Sequence, residues 1–137
     1  MCKMINRALY VDRHLYYFVR LEGDGSVFNK VVNGIDLTVT FNAFDAQKLL
    51  EEQSFDALGV HLSTNFCYYV AVKFRKKNKR GPIIIHSGLA GDEFVKRDLK
   101  NMEFPYDMLI PVSIGELLVD HERRLEDIAR DFKEFEK

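Results

Sequence analysis

The run Pro82-Ile83-Ile84-Ile85-His86 is apolar on every position between its ends. A strand with no polar face must be covered on both sides, as in a parallel sheet with helices above and below. The neighbouring segments fit that demand. Upstream, residues 66–77 place Phe66, Val70 and Phe74 four apart, which predicts a helix with one apolar stripe. Before it, Phe55-Asp56-Ala57-Leu58-Gly59-Val60-His61-Leu62 reads as another strand. Downstream, residues 92–101 predict a short helix with Phe94, Val95 and Leu99 inside, and Met108-Leu109-Ile110 a further strand.

Toward the N-terminus, Ala8-Leu9-Tyr10-Val11 is a short β-prone run, and Ile35, Leu37, Val39 and Phe41 alternate along a half-buried strand. Asn42 stands at the N-cap position of a helix ending near Gln53. Residues 13–34 leave two readings: a helix interrupted at Gly23, or a hairpin turning at Asp24-Gly25. The favoured version is a loop or short element followed by a helix over about Ser26 to Asn33, because Val27, Phe28, Val31 and Val32 recur at helical spacing. Ser113 caps a long last helix running through Glu116, Leu117 and Leu118 to the end. Strands alternating with helices predict a five-stranded parallel sheet in a three-layer, doubly wound α/β fold, with right-handed crossovers.

Composition narrows the function classes. The chain has 137 residues, 47% hydrophobic and 30% charged, with 20 Lys plus Arg against 21 Asp plus Glu. That is enough for one core, and the charge balance argues against a whole-chain polyanion binder. No apolar run is long enough to span a bilayer, and Met1 to Arg7 has no apolar stretch of signal-peptide length. Cys2 and Cys67 make neither a disulfide framework nor a metal site. The expectation is a reduced, cytoplasmic, single-domain protein over residues 1–137, with its core at about 7–128 and a helical extension over about 129–137. No cofactor is expected.

Four strings together resemble the receiver domains of two-component response regulators, the CheY-like family. Ala8 to Arg13 resembles the end of their first strand, Phe55 to Leu62 their third, Pro82 to Gly88 their fourth, and Tyr106 to Leu118 their fifth strand and following helix. The resemblance covers roughly residues 7–128 and implies a flavodoxin-like (βα)5 fold. It also implies a site at the C-terminal ends of the strands. Receivers carry an Asp nucleophile there, an acidic pair holding Mg²⁺, a Ser or Thr, and a Lys before a proline.

Here the resemblance is partial. His61 stands at the phosphoacceptor position. Asp12 keeps one acid, but Arg13 replaces the other and would put a cation where Mg²⁺ sits. Ser87 matches the hydroxyl position. Ile110 replaces the Lys, before a retained Pro111 whose peptide bond is often cis in the family. A one-residue slip would offer Asp56 instead, but at the wrong end of its strand. The resemblance therefore implies a degenerate pseudo-receiver that works without aspartyl phosphorylation.

Other constellations are weaker. His61, His86 and His14 fall near one sheet edge, but a histidine metal site needs three or four converging ligands, and buried or capping histidines are the plainer reading. Phosphohistidine at His61 has less support still. Lys73, Arg75, Lys76, Lys77, Lys79 and Arg80 form a basic run that reads first as a solvated helix end favoured by the helix dipole, and second as a patch docking an acidic partner or phosphates. Leu118, His121, Leu125, Ile128, Phe132 and Phe135 follow a/d spacing. Phe132 and Phe135 would overhang a receiver body, so Leu125, Ile128, Phe132 and Phe135 are a candidate dimer or partner seam, or else fold back on the sheet. Tyr16-Tyr17 and Tyr68-Tyr69 are further candidate contacts.

There is no phosphate loop, nucleophile elbow or catalytic base pair, so the chain reads as a regulatory module with a protein partner and not as an enzyme. Two alternatives stand beside it. One is a small-ligand or metal-binding sensor or enzyme using the strand-end pocket. The other is the receiver half of a DNA-binding transcriptional regulator.

Overall fold

The computed structural model describes residues 4–88, 93–112 and 120–136. In chain order these form β1 (Arg7–Val11), a 3-10 turn (Arg13–Leu15), α1 (Tyr16–Glu22), β2 (Val27–Val32), β3 (Ile35–Thr40), α2 (Ala43–Glu52), β4 (Ala57–His61), α3 (Cys67–Lys77), β5 (Ile83–Ser87), α4 (Glu93–Asn101) and β6 (Met108–Pro111). The last is α5 (His121–Glu134). The sheet order is β2-β3-β1-β4-β5-β6. Five strands are parallel in the doubly wound order, reversing direction of growth at β1, so the α/β/α expectation holds.

The sixth strand is a correction. Residues 26–33 are not a helix: β2 runs antiparallel to β3, with Val32 opposite Ile35. The turn is Asn33-Gly34, both with positive φ (50° and 82°). That is the backbone of a tight primed hairpin turn, which Asn-Gly favours. The β-branched Val27, Val31 and Val32 suit an edge strand, and Val31 is left exposed. The crossover from β1 to β3 therefore holds the seven-residue α1 and an added edge strand.

Two cores lie on opposite faces of the sheet. One joins Leu9, Val11, Leu58, Val60, Ile83 and Ile85 to α2 and α3 through Leu49, Leu50, Val70 and Phe74, with Leu99 of α4. The other joins Ala8, Tyr10, Leu37, Val39 and Ile84 to α1 and α5 through Phe18, Val19, Leu125, Ile128 and Phe132. The alternation of strand residues between the two follows from the period of two.

The second core takes the fold-back reading of the α5 seam over the partner reading. Leu125, Ile128 and Phe132 are buried against this chain's own sheet, and the half-buried Phe135 packs on the same core. A short helix covering a sheet buries its apolar stripe there first, since no other surface is as close. Ala129 and Phe132 belong to this core, so the segment after residue 128 is no appendage. The last helix is also not unbroken from Ser113. Asp120 is its N-cap and accepts the Glu122 N–H, so α5 begins at His121. The Ser113 cap lies outside the described residues. Phe94, expected inside, is exposed, with the Arg97 guanidinium 4.6 Å from its ring centre.

Gly59 lets α5 seat. A Cβ there would stand 2.7 Å from Tyr10 Cδ1 and 3.0 Å from Phe132 Cζ. Gly59→Ala is expected to destabilise by roughly 1–2 kcal/mol through overpacking, read as a lower urea midpoint at unchanged slope. The Asn42 cap holds as expected, its Oδ1 accepting the Asp45 N–H at 2.8 Å. Asn42→Ala should cost about 1 kcal/mol, measured the same way. Among the described residues no helix is long and apolar enough to cross a membrane.

Candidate functional site

Parallel strands deliver their C-terminal residues to one edge. Asp12 follows β1, His61 ends β4, Ser87 ends β5 and Pro111 ends β6. Asp56 starts β4 at the opposite edge, where its Oδ2 accepts the Asn6 and Arg7 N–H groups at 2.9 and 3.0 Å. It braces the entry of β1 and has no place in the strand-end chemistry.

Asp12 is fully buried and organises the edge. Its Oδ1 accepts the His14 backbone N–H and contacts His14 Nδ1, both at 2.9 Å. Its Oδ2 accepts the Tyr10 hydroxyl at 3.2 Å. Arg13, expected to supply a cation beside Asp12, is exposed, and its backbone N–H donates to Thr64 Oγ1 at 3.1 Å. The buried cation comes from α5 instead. Arg124 Nη2 lies 3.9 Å from Asp12 Oδ2 and donates to the Tyr10 hydroxyl at 2.6 Å and to His86 Nδ1 at 2.9 Å.

A guanidinium only donates, so His86 Nδ1 is an acceptor and His86 Nε2–H donates to Asp131 Oδ2 at 3.0 Å. His86 is thereby held as a neutral ring. Burial lowers its pKa, and nearby Arg124 adds to that, against the opposing pull of Asp131. Burial, with Asp12 next, pushes the Tyr10 hydroxyl well above its ordinary value. The chain Asp12–Tyr10–Arg124–His86–Asp131 thus ties β1 and β5 to α5.

The three histidines divide. His86 joins that chain, while His14 and His61 face each other edge-on at 4.7 Å beside Asp12. His61 is buried, and desolvation pushes its pKa down to about 4. Its Nδ1 meets Ser63 Oγ at 2.7 Å and Ser63 N at 3.2 Å, while Nε2 is buried without a partner. Ser87 is buried at the end of β5. Ile110, at the Lys position, turns an apolar side chain onto the α5-side core. No peptide bond among the described residues is cis, so the bond before Pro111 is trans.

Magnesium, which the receiver resemblance implies, does not fit these donors. It takes oxygen ligands in octahedral geometry. Here one carboxylate is shared with a tyrosine and an arginine, and the facing groups are imidazoles.

The basic run is partly spent inside the molecule. Lys73 pairs with Glu51, Lys77 donates to the Leu50 carbonyl, and Arg75 pairs with Asp107 at 3.1 Å and donates to three backbone carbonyls. Lys76, Lys79 and Arg80 are left on the surface. A cavity of about 870 Å³ opens near them, at the N-terminal edge, lined in part by Phe55, Phe74, Arg80 and Asp107. It lies at the other end of the sheet from the expected strand-end pocket. Cys67 is buried, its thiol pushed up to about 11 by desolvation, which removes it as a nucleophile. Cys2 lies outside the described residues.

Tyr10, Arg124 and Asp131 were not legible as site residues. A faint signal exists: Arg124 and Asp131 stand seven apart on the border of the buried stripe of α5, where a charged side chain must either snorkel or find a buried partner.

No family model matches the chain, and no curated protein matches it. Solved structures do. The response regulator domain of Thermotoga maritima CheB aligns with a TM-score of 0.60 at 12% identity, over 96% of both chains. A CheY-like receiver domain protein from Methanospirillum hungatei aligns at 0.59 and 14% identity, over 97% of this chain and 98% of the other. The HemR receiver domain from Leptospira biflexa, non-phosphorylated, aligns at 0.56 and 18%, over 93% and 94%. At these identities the likeness is one of fold, and it spans nearly the whole chain.

Proposed function

We propose that this chain is a receiver-like regulatory module that acts in signal transduction by binding another protein, without aspartyl phosphorylation and without catalytic activity of its own. The observation that carries the reading is the strand-end site. The acceptor position is His61, the Lys position is Ile110, and Arg124 stands 3.9 Å from the one retained acid. An internal guanidinium there supplies the positive charge that a metal supplies in an active receiver, and it fixes α5 in one place. A module of this kind is set by its partner and its abundance, not by a phosphoryl group. The reading places it in the cytoplasm with the receivers it resembles.

Exposed aromatics support binding as the mode of action. Tyr17 on α1 and Phe66 and Tyr69 at the start of α3 are 75%, 70% and 56% exposed. Both helices leave the same sheet edge, after adjacent strands β1 and β4. Aromatic groups held on rigid elements are the usual anchors of protein interfaces.

The test is chemical. The full chain, incubated with Mg²⁺ and acetyl phosphate or beryllofluoride, is expected to show neither label nor spectral change. His61→Asp alone should not restore labelling, because Arg124 and Ile110 remain. Stoichiometric labelling of the wild type at His61 or Asp56 would overturn the reading.

A further inference from the structure

The donors that reject magnesium suit a different class of ion. Asp12, His14 and His61 each offer a ligand atom, and these atoms lie within 4.8 Å of one another, the one such grouping of three among the described residues. His61 carries the second, independent observation. The residue is 5% exposed, and its Nε2 has no hydrogen-bond partner. A buried polar atom left unmet is costly, and such atoms in native proteins call for an unseen water or ion. With Nδ1 engaged by Ser63, Nε2 is the nitrogen that His61 has left to offer.

We propose that Asp12, His14 and His61 bind a divalent transition-metal ion, zinc or a neighbour in the first-row series, at the C-terminal edge of the sheet. Two imidazoles and one carboxylate match the borderline character of that class.

The surroundings prepare the ligands. The Ser63 backbone N–H donates to His61 Nδ1 at 3.2 Å, so the ring proton rests on Nε2; metal binding at Nε2 moves it to Nδ1, where Ser63 Oγ, 2.7 Å away, accepts it. Such outer partners set the tautomer of metal-binding histidines. Tyr10 holds Oδ2 of Asp12 on the Arg124 side, which leaves Oδ1 on the His14 side. His14 is the gate: its side chain is 25% exposed and sits on the single 3-10 turn after β1. Binding replaces the His14–Asp12 hydrogen bond with two metal bonds, and the donors settle roughly 3.3 Å apart, as tetrahedral bonds of about 2 Å require: the pair now at 2.9 Å spreads while the wider separations close. Three protein ligands leave one position for water. Arg124 adds a positive charge nearby, so the affinity is that of a reversible site and not of a structural one. The proposal stands apart from the regulatory reading: a phosphorylation result in either direction leaves it untouched.

Untagged full-length protein should take up one Zn²⁺ per chain in competition with a chromophoric chelator, with excess Mg²⁺ unable to compete. His14→Ala and His61→Ala should each weaken uptake at least tenfold, and His121→Ala, a half-exposed histidine outside the grouping, should not. Imidazole nitrogen NMR should show the His61 ring proton on Nε2 in the metal-free protein and on Nδ1 with Zn²⁺ bound, with the Nε2 resonance shifting accordingly. His14→Ala changes a partly exposed side chain, so it and the NMR shift decide the matter even where His61→Ala fails to fold. No uptake by the wild type would overturn the proposal. So would uptake that survives in His14→Ala, or that is lost instead in His121→Ala.

Discussion

Arg124→Ala is expected to destabilise the protein by about 3–5 kcal/mol, the range for removing one partner from a buried charged pair. Arg124 is 4% exposed and Asp12 fully buried. Truncation leaves the Asp12 carboxylate without its cation, leaves the Tyr10 hydroxyl proton to be shared between Asp12 and His86 Nδ1, and removes the shortest bond to the Tyr10 hydroxyl. It also loosens α5 from β1 and β5, elements far apart in sequence. Urea unfolding should show the midpoint fall. The double variant Asp12→Asn with Arg124→Met should recover a good part of the loss, because neutral groups carry no desolvation penalty. A loss below about 1 kcal/mol in Arg124→Ala would mean that the guanidinium is solvated and the network is not the clamp described.

The second large effect is acid sensitivity. His61 and His86 both have pKa values below the ordinary 6.5, His61 at about 4, with burial the first cause in each. The unfolded chain therefore takes up protons first as pH falls. The stability these two sites provide is complete above about pH 6.5 and is lost as pH falls below it, the His61 share being gone once pH passes about 4. His61 alone accounts for about 2 kcal/mol after allowance for solvent screening, and His86 adds to it in the same direction. Glu51 and Glu136, held low by Lys73 and by the Ile5 N–H, keep their contribution above their ordinary 4.5 and lose it only below that pH, outside the interval in question. Urea midpoints taken in a chelator from about pH 7 down to pH 5 should fall steadily, and more shallowly in His61→Gln. A flat profile over that interval would show that both rings reach water in the folded protein.

How much of this was legible follows from range. The apolar run at 83–85, the Val70 and Phe74 stripe of α3, and the Asn42 cap are local, and each reads correctly; Phe66, expected on that stripe, instead precedes α3 with a positive φ and is exposed. The β2 hairpin was also local, but two signals conflicted there. Valines at helical spacing were followed by Asn33-Gly34, and the turn won because its two positive φ angles lock the register with β3. The seam of α5 is legible as a pattern, with the right residues and its partner left open between the sheet and another chain. Periodicity states that Leu125, Ile128 and Phe132 share a face, not what covers it.

The sequence by itself determined a doubly wound α/β layer structure, and its resemblance to receivers set apart Asp12 and Ser87 as matching positions and Arg13, His61 and Ile110 as differing ones. Those depend on burial patterns and residue identities that a linear reading contains. Only the tertiary structure decided that Arg124, not Arg13, is the cation beside Asp12, that His86 parts from His14 and His61, and that α5 closes on its own sheet. The reason is the length of chain between the groups. Arg124 and Tyr10 stand 114 residues apart, and no local preference encodes their meeting. It follows from Gly59 leaving room for Tyr10 and Phe132, and from the burial free energy of the α5 stripe that brings the guanidinium in with it.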